Sequence, residues 1–545
     1  MDFRKILRIN KLQLSSFIFF MLLAVHTWAQ KPVLKKQAEN AMLRASKFMI
    51  DEVSTNGGFV WYYLPDLSRR WGEMEAYKTM IWVQGGGTVS AGHVFLDAYR
   101  ATGNEYYYQA AEKTAAALIW GQSNAGGWHY MIDFAGDRSL KNWYSTIGKN
   151  GWRLEEFQHY YGNDTFDDEV TSDAARFLLR IYLEKLDPKY KPALDKAIGF
   201  ILKSQYPNGG WPQRYPLKND FKKDGNEDYT SYYTFNDNVI WENVNFLIQC
   251  YLTLGEERFL APINRGMNFY YISQAENGAW GQQYNLKMEP SAARTYEPAA
   301  YLPSTTFRNA MIMMRFYQYT GDKKYLSNIP KAIAWLESVK LPDDKTMNGR
   351  YTHPQFIEVK TGKPVYPHRK GSNAAFGKYY VDYNDHDLLG HYGGKTKLDL
   401  EYLKDEYKRI SSLSPEEASE GSPLKAAQFE GSGLPQHYYS IKREIHYNSE
   451  VSEAQVKGVI TALDEENRWL VEHVMISNPY IGDGKDQEET RMFATTNVGD
   501  KTDTSPFRDT SDQKYISTPE FIKNMSILIR YIENTSIQHA GGDVF

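Results

Sequence analysis

A short turn of asparagine or glycine followed by an aromatic residue recurs along the chain, and this recurrence limits the available folds more than any other feature. The copies are Asn56-Gly57-Gly58-Phe59, Gly126-Gly127-Trp128, Asn208-Gly209-Gly210-Trp211 and Asn277-Gly278-Ala279-Trp280, with a degenerate fifth at Asn348-Gly349-Arg350. Their last positions lie 69, 83, 69 and 70 residues apart. Glycine lets such a turn take positive φ, and the aromatic can plug it back onto a helical layer. Between the turns lie pairs of helical patterns. The first of each pair covers His93–Gly103, Ala174–Leu186, Val244–Gly255 and Ala310–Gly321. The second covers Tyr106–Trp120, Pro188–Ser204, Arg258–Ser273 and Lys324–Leu336. Apolar residues fall three and four apart, as in Phe177, Leu178, Ile181 and Tyr182. Each hairpin needs its neighbours to bury its apolar face. The expected fold is therefore all-α, an α/α toroid of repeated helical hairpins with a less regular C-terminal extension.

The repeats override the three or four domains that 545 residues would suggest. Residues 1–29 read as a signal peptide: Lys5 and Arg8, an apolar run from Leu14 to Val25, and Thr27-Trp28-Ala29 as the exit site. Export is expected, to the periplasm or the medium, with no membrane span after signal removal. The toroid is expected over 30–405 and the extension over 406–545. Within the extension, Ala454–Leu470 reads as helix, Asn478–Lys514 as a long loop, and Thr518-Pro519-Glu520 as the start of a last helix capped by Thr518. A net charge of −4 gives no field for nucleic acid. The lone Cys250, among Leu247, Ile248 and Tyr251, reads as a buried helix residue and excludes a disulfide framework. A monomer is expected. Aromatic residues make up 15% of the chain, including 41 Tyr and 13 Trp, and their flat apolar faces with polar handles suit sugar rings as well as cores.

Departures among the repeats point to chemistry. With the hairpins registered on Tyr99, Tyr182, Tyr251 and Tyr317, the entrance fourteen and fifteen residues upstream holds Asp167-Asp168 in the second copy and Asn236-Asp237 in the third. The first copy has Gln84-Gly85 there, and the fourth Leu302-Pro303. One reading is helix N-capping, which Asp and Asn favour. The other is convergence, because neighbouring repeats place matching positions at one end of a ring, and oxygen-rich clusters suit a hard cation such as Ca²⁺.

The series Asn208-Gly209-Gly210-Trp211-Pro212-Gln213, Tyr233-Thr234-Phe235-Asn236-Asp237, Ala279-Trp280-Gly281-Gln282-Gln283 and Ala293-Arg294-Thr295-Tyr296-Glu297 resembles, in order, the pectate lyases of polysaccharide lyase family ten. Thr165-Phe166-Asp167, Gly349-Arg350-Tyr351 and His368-Arg369 extend the likeness, which covers roughly residues 110–385. The resemblance implies Ca²⁺-assisted anti β-elimination on polygalacturonate, an acidic polysaccharide. By position it implies Asp167 and Asp237 as metal residues, with Asp168 and Asn236 as secondary candidates. It further implies Arg294 as the base removing the sugar C5 proton, and Arg350, Arg369, Trp211 and Trp280 as substrate-binding. Arg214 stands where the family has an aromatic, and Pro303–Phe307 replaces a Ser/Gly/Glu-rich stretch, so the substrate stays open.

The chemistry is coherent. Removing a C5 proton beside a carboxylate builds an enediolate-like dianion, which a divalent cation and guanidinium groups stabilise. A free guanidinium titrates above about 12, so an arginine base predicts an alkaline optimum. Three alternatives stand beside this reading. Arg294 could form a structural ion pair with Glu297. The acids could serve a glycoside hydrolase on the same scaffold, as a general acid and base. The chain could also be a non-catalytic binder of acidic glycans.

Overall fold

The computed structural model describes residues 32–150, 157, 159–218, 228–294, 296–370, 378–386, 388, 394–425, 451–478 and 507–540. The signal segment expected over 1–29 and most of the loop expected over Asn478–Lys514 lie outside these residues. Helix α1 (32–48) runs into a π-turn at Met49–Val53. There follow α2 (Thr88–Thr102), α3 (Glu105–Gly121), α4 (Asp137–Thr146), α5 (Val170–Lys185), α6 (Lys191–Ser204), α7 (Val239–Leu254) and α8 (Leu260–Ile272). Next come α9 (Pro303–Thr320), α10 (Lys324–Ser327), α11 (Ile329–Ser338), α12 (Leu400–Ser411), α13 (Pro415–Ala418), α14 (Glu453–Ala462) and α15 (Thr518–Ala540). The hairpins appear where the apolar spacing predicts them, but the outer helix expected over Lys324–Leu336 is broken at Asn328, with Pro330 opening its second piece.

These helices form an α/α toroid. Inner helices α2 and α5 pack on each other, as do α5 and α7; their outer partners α3, α6 and α8 lie against them, and α9 packs on α8 and α11. Helix α15 packs on α2 and α14, and Ser46 of α1 points its hydroxyl at the Met525 sulfur, 3.8 Å away.

Each turn is welded to an outer helix in the same way. Gly209 has φ +101°, and a Cβ there would lie 2.0 Å from the Arg265 carbonyl oxygen on α8. Only glycine fits this approach. The following tryptophan turns inward: the indole N–H of Trp128, Trp211 and Trp280 donates to the carbonyl ten residues back, on Leu118, Ile201 and Tyr270, at 2.8, 2.9 and 3.1 Å. Those carbonyls belong to the C-terminal turns of α3, α6 and α8, which lack intrahelical N–H partners.

The same device recurs at Trp469, whose indole donates to the Val459 carbonyl at 2.9 Å, with Asn467 at φ +67° in place of a glycine. The C-terminal region thus contains another hairpin of the ring. Helix α12 runs straight through the boundary expected at 405. Two further expectations need correction. Helix α14 ends at Ala462, and Leu470–Val471 is a strand paired with Tyr515–Ile516. The N-cap of α15 is Ser517, whose hydroxyl accepts from the Glu520 N–H at 3.1 Å. The Thr518 hydroxyl instead donates to the Val60 carbonyl at 2.6 Å, which ties the last helix to the first turn. Cys250 is buried in α7.

Two-residue strands hold the entrances of the inner helices side by side. Asp164–Thr165 pairs with Arg214–Tyr215, and Tyr233–Thr234 with Gln283–Tyr284. Beneath them, inner helices are joined by buried ion pairs. Arg180 pairs with Asp97. Arg176 pairs with Asp173 at 3.1 Å and with Glu242 at 2.6 Å, and its Nε donates to Gln249 at 3.0 Å.

Candidate active site

The two acidic entrances have one backbone shape. Asp168 (φ 50°, ψ 35°) matches Asp237 (48°, 31°), and Glu169 (60°, 11°) matches Asn238 (60°, 17°). The repeated strands impose this shape: Thr165 and Thr234 donate their N–H to the carbonyls of Trp128 and Trp211 at 2.9 and 3.0 Å, and Phe166 and Phe235 donate to Gln213 and Gln282 at 2.8 Å. Two successive non-glycine residues in the left-handed region cost on the order of 1–3 kcal/mol each, a strain that clusters at functional sites. No side-chain cap bond forms at the start of α5 or α7. The cap positions are Glu169 and Asn238, one residue past Asp168 and Asp237.

The acids converge. One carboxylate oxygen from each of Asp167, Asp168 and Asp237 lies within 4.8 Å of the others. Asp167 is fully buried; its Oδ2 accepts from the Tyr130 hydroxyl at 2.5 Å and its Oδ1 from Gln213 Nε2 at 3.1 Å. Asp168 accepts from Gln84 Nε2 at 2.6 Å, and Asp237 from Asn236 Nδ2 at 2.6 Å. Arg294, 2% exposed, closes the group: its Nη1 is 3.8 Å from Asp167 and its Nη2 3.7 Å from Asp237. Glu297 grips the same guanidinium by two bonds, from Nε at 2.7 Å and Nη2 at 3.1 Å, and accepts from the Arg294 backbone N–H at 3.1 Å. Enclosure raises the Asp237 carboxyl well above its usual range, and the charges of Asp167 and Asp168 add to this while Arg294 opposes it. A cavity of about 340 Å³ opens over the group, lined by Trp61, Gln84, Gly85, Asp168, Glu169, Asp173, Asp237 and Asn238.

The structure thus brings together Asp167, Asp168, Asn236, Asp237 and Arg294 as the sequence predicts. It also forms the Arg294–Glu297 ion pair. It does not bring the tryptophans to a surface: Trp211 and Trp280 are fully buried plugs with no face for a sugar, because the repeat needs them to satisfy helix ends. Arg350 is exposed on the degenerate turn, its guanidinium 5.2 Å from the Tyr351 ring centre. Arg369 lies on the strand Pro364–Lys370 opposite Tyr379, and its side chain falls outside the described residues. Gln84, Tyr130 and Gln213 were not singled out by sequence. Register could have found them: Gln84 stands level with Asp167 and Asn236, and Tyr130 and Gln213 each lie two residues past a plug tryptophan.

Comparison with known proteins adds the following. Residues 135–375 match the family model described as pectic acid lyase. A squalene-hopene cyclase of Schizosaccharomyces japonicus is 27% identical over 153 residues, 28% of this chain; the match spans only 22% of that protein's length. Among solved structures, a variant of the family 10 polysaccharide lyase of Cellvibrio cellulosa in complex with trigalacturonic acid is 17% identical, covering 59% of this chain and 98% of that one at a TM-score of 0.37. The GH76A α-1,6-mannanase of Salegentibacter sp. HEL1_6 is 12% identical, covering 92% and 99% at 0.34. Likenesses of this size carry no argument about activity. The family match falls on the segment that supplies Asp167, Asp168, Asp237 and Arg294, so over residues 135–375 the chain is similar to the pectic acid lyases.

Proposed function

We propose that the chain is an exported lyase that cleaves polygalacturonate by Ca²⁺-assisted anti β-elimination, with Arg294 as the base. The observation that carries this reading is the meeting of a buried guanidinium with three carboxylates from two adjacent repeats. Three clustered carboxylates, one of them pushed toward neutrality by enclosure and by the charges of the others, make a hard-oxygen donor set that fits Ca²⁺. Asp168 and Asp237, which line the cavity, and Asp167 beneath them would hold it. Bound there, the cation would offset the charge that develops on the uronate carboxylate as C5 loses its proton.

The chain's own residues supply the rest. A neutral guanidine nitrogen of Arg294 takes the C5 proton. The C5–H electron pair becomes the C4–C5 double bond, the C4–O4 bond breaks, and O4 leaves to take a proton from water. Glu297 aims the guanidinium by two hydrogen bonds, and because a free guanidinium titrates above about 12, turnover should rise as pH moves into the alkaline range. A hydrolase needs a general acid and a general base or nucleophile flanking the glycosidic bond. Here the acids are clustered with a guanidinium among them, which favours elimination.

The test is to incubate the protein with polygalacturonate, with and without a Ca²⁺ chelator, and to follow the ultraviolet absorbance of unsaturated uronide. Elimination gives a rising, chelator-sensitive signal that Arg294→Ala abolishes while calorimetry still detects oligogalacturonate binding. Reducing ends without absorbance would establish hydrolysis, and binding without either product a glycan-binding role. Near-normal turnover by Arg294→Ala would remove it as the base.

A further inference from the structure

The acidic centre has a third contributor, in a part of the chain that precedes the pectic acid lyase segment. Gln84 sits at the first hairpin's copy of the entrance position held by Asp167 in the second and Asn236 in the third. It is buried, and both ends of its amide are accounted for. The indole N–H of Trp82 can only donate, and it donates to Gln84 Oε1 at 2.8 Å. That fixes the amide's orientation and turns its NH₂ group toward two carboxylates, Asp168 Oδ2 at 2.6 Å and Glu73 Oε2 at 3.1 Å. Trp82 is itself immobilised, fully buried and packed edge-on against Trp143.

From this arrangement we propose that the centre is built by three successive repeats, with Gln84 as a positioning residue that holds Asp168 for the cation. The inference rests on the Ca²⁺ reading above. Asp167 has both oxygens engaged by Tyr130 and Gln213 and lies fully buried. Asp168 and Asp237 are the members of the group that line the cavity. Asp237 is steadied within its own repeat by Asn236. At the Asn236 position the second repeat has Asp167, an acid that cannot donate to Asp168 when ionised. The Gln84 amide supplies a donor to Asp168 from the neighbouring repeat instead. A carboxylate held in one orientation by a charge-assisted hydrogen bond loses less freedom on binding a cation, and removing such an outer partner lowers metal affinity about 10–100-fold.

The test is calorimetric titration of the whole, substrate-free protein with Ca²⁺. Gln84→Ala should weaken binding about tenfold or more, titrated at a temperature where circular dichroism shows the variant folded, because the Trp82 indole N–H loses its acceptor. Gln84→Met, which keeps the volume, serves if the alanine variant folds poorly and should show the same loss. Because Gln84 acts through Asp168, adding Gln84→Ala to Asp168→Ala should lower affinity no further than Asp168→Ala alone. Wild-type binding with unchanged affinity in the Gln84 variants overturns the proposal and leaves the Ca²⁺ reading intact, as do losses that simply add to those of Asp168→Ala. A wild-type protein that takes up no Ca²⁺ overturns both.

Discussion

Asp164 lies three residues before Asp167, and its carboxyl titrates above the usual range. It is buried; one oxygen accepts from the Ser123 hydroxyl and from the Gly127 N–H at 3.2 Å. Burial outweighs these bonds and pushes its carboxyl up to about 6 from a usual 3.8. A carboxyl whose folded value is raised favours the folded state while protonated. Its contribution is complete below about pH 4 and is lost as pH climbs through 6, for a change of about 3 kcal/mol. Urea unfolding of the wild type across pH 4–7 should therefore show stability from this group falling with pH, and Asp164→Asn should flatten that slope. An identical pH slope in the two proteins would place the ionised carboxylate in a better-solvated setting than its burial indicates.

At the scale of elements, what was legible in the sequence was what repeats. Helix hairpins show as apolar spacing, and Asp167, Asp168 and Asp237 stand out because other copies lack acids at that entrance. The C-terminal hairpin stayed hidden because its turn replaces glycine with Asn467, whose side chain tolerates the left-handed backbone. The tryptophans were misread because an aromatic that fills a turn and one that stacks on sugar have the same composition; only burial separates them. Thr518 looked like a cap because a threonine before proline usually is one, yet the cap fell one residue earlier once Val60 claimed its hydroxyl. The welded turn is the element most exposed to test. At Gly209 an added methyl meets both an unfavourable φ and the Arg265 backbone. Strain and overpacking together should cost Gly209→Ala about 3 kcal/mol or more, read as a lowered denaturation midpoint. Gly199, on the outer side of α6 with open space at its Cβ, is the matched control, and alanine there should be neutral or slightly stabilising.

For the whole molecule, the decisive contact is between the last helix and the first hairpin. A row of hairpins leaves two raw apolar ends, and here the last helix covers the one at α2. Helix α15 buries Phe521, Ile522, Met525, Leu528, Ile529 and Ile532. It packs on α2, and the residues at its start accept and donate bonds at the first turn: Thr518 N–H reaches the Trp61 carbonyl at 2.9 Å, and strand Tyr62–Tyr63 pairs with Ile516–Ser517. Trp61 in turn lines the cavity above the acidic group. A chain ending at residue 517 should therefore lose more than one helix's worth of stability. It would expose the inner face of α2, lose its sharp thermal transition, and show collapsed hydrogen-exchange protection in α2 and in the Trp61 turn, sites hundreds of residues away in sequence. If removal of α15 left α2 protected and the melt sharp, the hairpins would be holding one another without that contact, and the acidic centre would owe its shape to adjacent repeats alone.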